Sequence, residues 1–201
     1  LAIREKTLGP AHEDIASSLQ SLALLYRDQN RYPDAEPLFK RALEIRKKAL
    51  GPESPEYATS LSVLGQFYRR QNRLAEAEPM FRLALAVREK AFEPESYEIA
   101  ISLNYLAALL REQGKYAEAE PMYKRAYAIL ETKLGTDHHD VAATLDDLAE
   151  LYRLQGRPAD AEPLYKRALA IWEKLLGREN PNIANTSRKL ALLYSQLQRY
   201  A

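Results

Sequence analysis

The dipeptide Glu-Pro recurs at residues 36, 78, 120 and 162, so one spacing of 42 residues is held three times over. Around it a longer phrase repeats: Ala35-Glu36-Pro37-Leu38-Phe39-Lys40-Arg41-Ala42-Leu43, then Ala77-Glu78-Pro79-Met80-Phe81, Ala119-Glu120-Pro121-Met122-Tyr123 and Ala161-Glu162-Pro163-Leu164-Tyr165. A constant period of this length means one supersecondary unit stacked on copies of itself, because a single unit cannot bury its apolar face alone. The expected full repeats are 9–50, 51–92, 93–134 and 135–176, with a half repeat at 177–201. Residues 1–8 match 169–176 and read as the end of a preceding repeat. The expectation is a single array, cut from a longer one.

Each repeat carries two stretches of helical periodicity. Ile15, Ala16, Leu19, Leu22, Ala23 and Tyr26 fall at the three-and-four spacing of one apolar face. Asn30, Asn72, Gly114 and Gly156 close this first helix in successive repeats. Both residue types tolerate the left-handed conformation just past a helix end. The second helix is expected to open at Asp34-Ala35-Glu36-Pro37, with acids at the positive end of its dipole. Proline costs little there, since the first four N–H groups have no partner inside a helix. The second apolar stripe runs through Ala35, Leu38, Phe39, Ala42, Leu43 and Ile45 or Arg46. The fold class that follows is all-α, a helix-turn-helix solenoid of about ten helical segments. Ala16, Leu19, Leu22, Ala35, Glu36, Pro37 and Ala42 keep one residue type in all four full repeats and are assigned to packing. Arg27 and Gln29 keep theirs too, and packing does not require them. The Gln29, Gln71, Gln113 and Gln155 column is expected to bond the inter-helix turn.

Bulk properties exclude several functions. The 29 basic and 28 acidic residues leave a net charge of +1, which speaks against a general nucleic-acid binder. Cysteine is absent, so disulfides, thiolate zinc sites and thiol catalysis drop out. No apolar run approaches the roughly 20 residues that cross a bilayer, and charges interrupt the start at once, unlike a signal peptide. A cytoplasmic protein without a membrane segment is expected. No Gly-rich phosphate loop, nucleophile elbow or His-Glu-X-X-His pattern occurs, so neither enzymatic activity nor a cofactor is expected. His138-His139-Asp140 is read as the ordinary chemistry of a helix start rather than as a metal site, and Trp172, the sole tryptophan, as a cover for the neighbouring loop.

Leu19, Leu22-Ala23, Tyr26, Asn30, Tyr32, Ala35, Phe39 and Ala42 stand at the spacing of the tetratricopeptide repeat, which the chain resembles throughout. The 42-residue length, Leu-Tyr-Arg-Asp-Gln-Asn-Arg-Tyr at 25–32 and Lys-Arg-Ala-Leu-Glu-Ile-Arg at 40–46 are similar to kinesin light chain repeats in particular. The resemblance implies a right-handed superhelix whose concave wall, made of the first helices, grips extended peptides. In kinesin light chains that groove takes peptides with aromatic and acidic residues, and a Leu-Asn-Asn-Leu-Ala phrase places asparagines in it. Of the matching pairs here, only Asn104 keeps the family's asparagine.

Laid on that pattern, Arg27, Arg69, Arg111 and Arg153 form a ladder with one rung per repeat. Their planar guanidinium groups suit carboxylates, and the same placement in a last helical turn suits the negative dipole end. Gln66, Arg70, Asn104, Asp146, Glu150 and Arg188 complete the expected peptide-binding groove, basic in the first three repeats and acidic in the fourth. The expected function is a protein-interaction module that binds an extended, partly acidic peptide, as a scaffold or adaptor. The alternatives are a structural spacer that associates end to end through uncovered faces such as Leu190 and Leu193, or the sensor arm of a larger regulatory protein.

Overall fold

The computed structural model describes residues 7, 9, 12–177 and 180–198. The expected end of a preceding repeat, Thr7 apart, lies outside the described residues. Among those described there are nine helices and no strand: α1 (Glu13–Asp28), α2 (Tyr32–Leu50), α3 (Pro55–Arg70), α4 (Leu74–Ala91), α5 (Tyr97–Glu112), α6 (Tyr116–Leu134), α7 (His139–Leu154), α8 (Pro158–Leu176) and α9 (Pro181–Gln198). The chain divides into two compact units, residues 1–94 with α1 to α4 and residues 95–201 with α5 to α9. In each unit a first helix packs antiparallel-fashion against the second helix of its own repeat, and that second helix packs on the next repeat.

One column starts every first helix. His12 and His138 each accept the amide of the residue two on through Nδ1 at 3.2 Å, Ser54 and Ser96 accept from Tyr57 and Ile99, and Asn180 accepts from Asn182 at 2.9 Å. Each satisfies an orphan N–H of the first turn. The predicted stops are left-handed, with φ of 59° at Asn30 and Asn72, 76° at Gly114 and 70° at Gly156. The next amide then reaches back five residues, as Arg31 does to the carbonyl of Tyr26 at 2.8 Å.

The second helix starts earlier than its sequence suggests. It opens at Tyr32, so Pro37 lies inside the helix instead of at its mouth. Proline withholds the amide that would bond the Pro33 carbonyl, and both residues are exposed, leaving that carbonyl to solvent. In unit 1, Ile15, Ala16, Leu19, Ala42 and Ile45 form one buried cluster with Leu38 against it. Each such aliphatic side chain contributes about 1.5–3 kcal/mol. Phe39 and Phe67 meet at a tilt of 53° with 5.0 Å between centroids, carrying the core from α2 to α3. In unit 2, Tyr123 and Tyr165 stand in the Phe39 column, both fully buried.

Glu36 has a different role from the packing first assigned to it. From α2 its carboxylate accepts Arg73 Nη1 at 2.6 Å, the Tyr68 hydroxyl at 3.3 Å and Lys40 Nζ at 2.7 Å, while Arg73 stacks over the Tyr68 ring. Unit 2 repeats the arrangement with Glu120, Arg157, Tyr152 and Lys124. Glu36 and Glu120 are thus staples between consecutive repeats of their own units. Hydrogen bonding to Arg73 holds the Glu36 carboxyl down to about 2. A carboxylate depressed in the folded state adds stability above its unfolded value near 4.5, and that stability is lost as pH falls towards 2. Glu36→Gln is therefore expected to flatten the fall of the melting temperature between those pH values. Equal slopes for parent and variant would remove the staple from the stability account.

Candidate functional site

In unit 1 the site is built around Arg46, a charged side chain within an apolar stripe. From α2 its guanidinium enters the seam between two first helices. Nη1 donates to Gln20 Oε1 at 2.6 Å and to Ser60 Oγ at 2.5 Å, and Nη2 donates to Ser17 Oγ at 3.2 Å. Arg46 is only 8% exposed, and its Nε–H finds no acceptor among the described residues. Burial pulls its pKa below the ordinary guanidinium value, opposed by the more distant Glu13 and Glu56. Among the described residues all its hydrogen-bond partners are neutral, and none pairs a carboxylate with its charge. One repeat on, Arg88 donates to Ser62 and Thr59 in the same manner. Ser17 and Thr59 are exposed on the first helices, so each polar cluster reaches the surface.

The arginine ladder is mostly engaged within the protein. Arg27 donates to its neighbour Asp28 at 2.9 Å. Arg69 is half-buried and Arg70 exposed at the end of α3, with Gln66 half-buried one turn earlier. In unit 2, Arg111 on α5 donates to Asp147 on α7 at 3.1 Å, its side chain 15% exposed. Burial works against its charge, yet Tyr123 and Asp147 hold it above the ordinary value. Arg153 grips Glu150 with two bonds of 2.7 and 2.8 Å and touches Gln196 of α9 at 3.4 Å. The buried Tyr165 hydroxyl also donates to Glu150, at 2.6 Å.

Of the remaining expected residues, Asn104 and Asp146 latch neighbouring first helices. Asn104 donates to the Thr144 hydroxyl at 2.7 Å, and its Oδ1 is buried without a donor. Asp146 accepts Thr186 at 2.8 Å and pairs with Lys189. Arg188 donates to Asn185 within α9. Trp172 is 5% exposed and occupies the column of Arg46 and Arg88. It lines a cavity of about 150 Å³ shared with Asp146, Asp147 and the start of α9.

Smaller expectations divide. Gln71 Nε2 donates to the Phe67 carbonyl at 3.1 Å and Gln155 accepts from Arg157, so these two do serve the turn. His138, His139 and Asp140 bring their ligand atoms within 4.8 Å of one another. His138 Nδ1 is already the α7 cap, and Asp140 accepts the Tyr97 hydroxyl at 3.0 Å. Leu193, expected to lie uncovered, is 1% exposed, because it turns towards α8 and α7; Leu192 and Leu197 are the exposed ones. No helix among the described residues is long and apolar enough to cross a membrane.

Sequence reasoning missed Arg46 and Arg88 as site residues. Their signal was a lone cation at a stripe position, facing hydroxyl-bearing columns of two first helices.

With that geometry in place, comparison with known proteins is informative. The tetratricopeptide repeat profile matches residues 1–48, 22–90, 98–171 and 140–201. Among solved structures, BtubC (BKLC) from P. vanneervenii is similar at 26% identity and a TM-score of 0.80, over 91% of this chain and 73% of that one. The nearly identical TPR-like repeats of a candidate kinesin light chain from Podosopora anserina are 24% identical, with a TM-score of 0.79 over 94% of this chain and 89% of that one. No curated protein sequence matches. The chain belongs to the tetratricopeptide repeat family, and its repeats are kinesin light chain-like.

Proposed function

We propose that the first helices bind an extended, partly acidic peptide, with unit 1 receiving the acidic residues. Tetratricopeptide repeats mediate protein–protein interaction, and the fold is a repeat scaffold. The observation that carries the finer reading is Arg46, a buried guanidinium with neutral partners and an unused N–H beneath an exposed serine. A carboxylate arriving there would gain a charge-assisted bond of about 1.5–3 kcal/mol. Arg70 adds an exposed cation to the same unit, and Arg111 and Arg153 hold Asp147 and Glu150. Asn104 keeps a buried acceptor that suits a peptide N–H. Within unit 1 such contacts support binding at roughly micromolar strength, about −8 kcal/mol. Fluorescence anisotropy with an acidic peptide and its glutamine-substituted twin tests this. The acidic form should bind more tightly and lose affinity as salt rises; equal binding of the two would sink the reading.

A second reading has its own observation. On α9, Tyr194 and Leu197 stand one turn apart at 37% and 38% exposure, an apolar patch of the kind that joins arrays end to end. Light scattering over a concentration series decides it: a mass that stays at that of one chain removes the self-associating array.

A further inference from the structure

We infer that the cavity at Trp172 is a subsite for a carboxamide, the group carried by asparagine, glutamine and the peptide main chain. The inference rests on the peptide-binding reading of the first helices. Trp172 is 5% exposed, and its indole N–H finds no acceptor among the described residues. The ring lines a cavity of about 150 Å³ whose other polar walls are Asp146, Asp147, Asn182, Asn185 and Thr186. An orphaned indole donor and two carboxylates belong to the residues around this one cavity, and together they ask for a group that accepts and donates at once.

Other side chains fail one half of that demand. A ligand carboxylate would accept from the indole but would add a third anion beside Asp146 and Asp147, whose partners Lys189 and Arg111 balance only the two charges already there. An ammonium group could donate to the carboxylates but would leave the indole N–H unmatched. It would also find their charge already balanced, since Asp146 pairs with Lys189 and Asp147 with Arg111. An aliphatic group would strand both sides. A carboxamide presents its oxygen to Trp172 and its N–H bonds to the carboxylates, which have lone pairs beyond those now in use. It is neutral, so it leaves the two existing ion pairs undisturbed. Its small volume suits the cavity. The Arg-to-Trp change in one column would thus turn an anion-seeking position of unit 1 into an amide-seeking one in unit 2.

Trp172 is the only tryptophan, so its indole N–H gives one assignable resonance in a ¹H–¹⁵N spectrum. The whole chain is titrated with the N-acetyl amides of asparagine, aspartate, lysine and alanine. The asparagine derivative should move that resonance downfield saturably at ~millimolar concentration, about tenfold more tightly than the aspartate or lysine derivative. A lower affinity of the alanine derivative assigns the recognised amide to a side chain. An equal one assigns it to the main chain and still supports the subsite. Trp172→Phe keeps the ring without the donor, and saturation-transfer signals of the asparagine derivative should vanish with it. No saturable shift, or a preference for aspartate or lysine, overturns the inference. An acidic peptide titrated in parallel separates the two readings. If it binds while the amides do not, only the subsite fails; if the amides bind and it does not, the subsite stands and the acidic-peptide reading fails.

Discussion

Glu150→Ala is expected to destabilise unit 2 by about 2–3 kcal/mol, the cost of breaking a buried ion pair discounted for partial exposure. Glu150 and Arg153 are 13% and 15% exposed and joined by two hydrogen bonds. The same carboxylate takes the hydroxyl of Tyr165, a residue with no exposed surface. Its removal leaves a guanidinium and a phenol inside the protein with Gln196 as the one remaining polar contact of the pair among the described residues. Burial alone would push the Glu150 carboxyl up; the Arg153 fork outweighs it and keeps the group ionised below its ordinary value. Hydrogen exchange is the right measurement, because repeat proteins open locally and a single unfolding midpoint can average over repeats. Protection should fall in α7 and α8 and stay unchanged in α1 and α2. Undiminished protection in α7 would mean that Glu150 and Arg153 are exposed ligand contacts. The affinity for an acidic peptide would then rise in Glu150→Ala.

The helices, their stops and the family were legible because each rests on a property that repeats. Apolar residues at three-and-four spacing and an Asn or Gly at one column state the same instruction four times over, and the left-handed φ at Asn30, Asn72, Gly114 and Gly156 obeys it. The pairing of polar side chains was not legible in this way, since the partners lie in adjacent repeats at separations near the period without equalling it. Glu36 and Arg73 are 37 residues apart, Arg111 and Asp147 36, Asn104 and Thr144 40, and Asp146 and Lys189 43. A column-by-column comparison aligns like with like and so hides bonds between unlike columns. Searching for complementary charges at slightly less or more than one period would have found three of these four. Pro37 was misplaced for another reason: its exposure, which makes its missing N–H harmless, is a tertiary property. Arg46 was ambiguous with Ile45, and both proved buried, because a long side chain can follow the stripe and then carry its charge into the seam.

Arg46→Met should separate binding from folding. A buried charge with neutral partners contributes little to stability, since desolvation opposes its hydrogen bonds, and an apolar side chain of similar volume often replaces it at no loss. The melting temperature is therefore expected to stay within the change that about 1 kcal/mol produces, or to rise. Ser60, the buried partner, keeps an outlet, because a serine in a helix can bond the carbonyl four residues back, as Ser62 does to Ala58 at 3.1 Å. Affinity for an acidic peptide should nevertheless fall about tenfold or more, the value of one shielded charge-assisted bond. Arg46→Lys is the informative companion. It keeps the charge but loses the fork that spans Gln20, Ser60 and Ser17, so it should recover only part of the affinity and little of the preference for glutamate over glutamine. A loss of stability in Arg46→Met with unchanged peptide affinity would make Arg46 a polar strut between α1 and α3. The acidic end of the ligand would then have to be sought at Arg70.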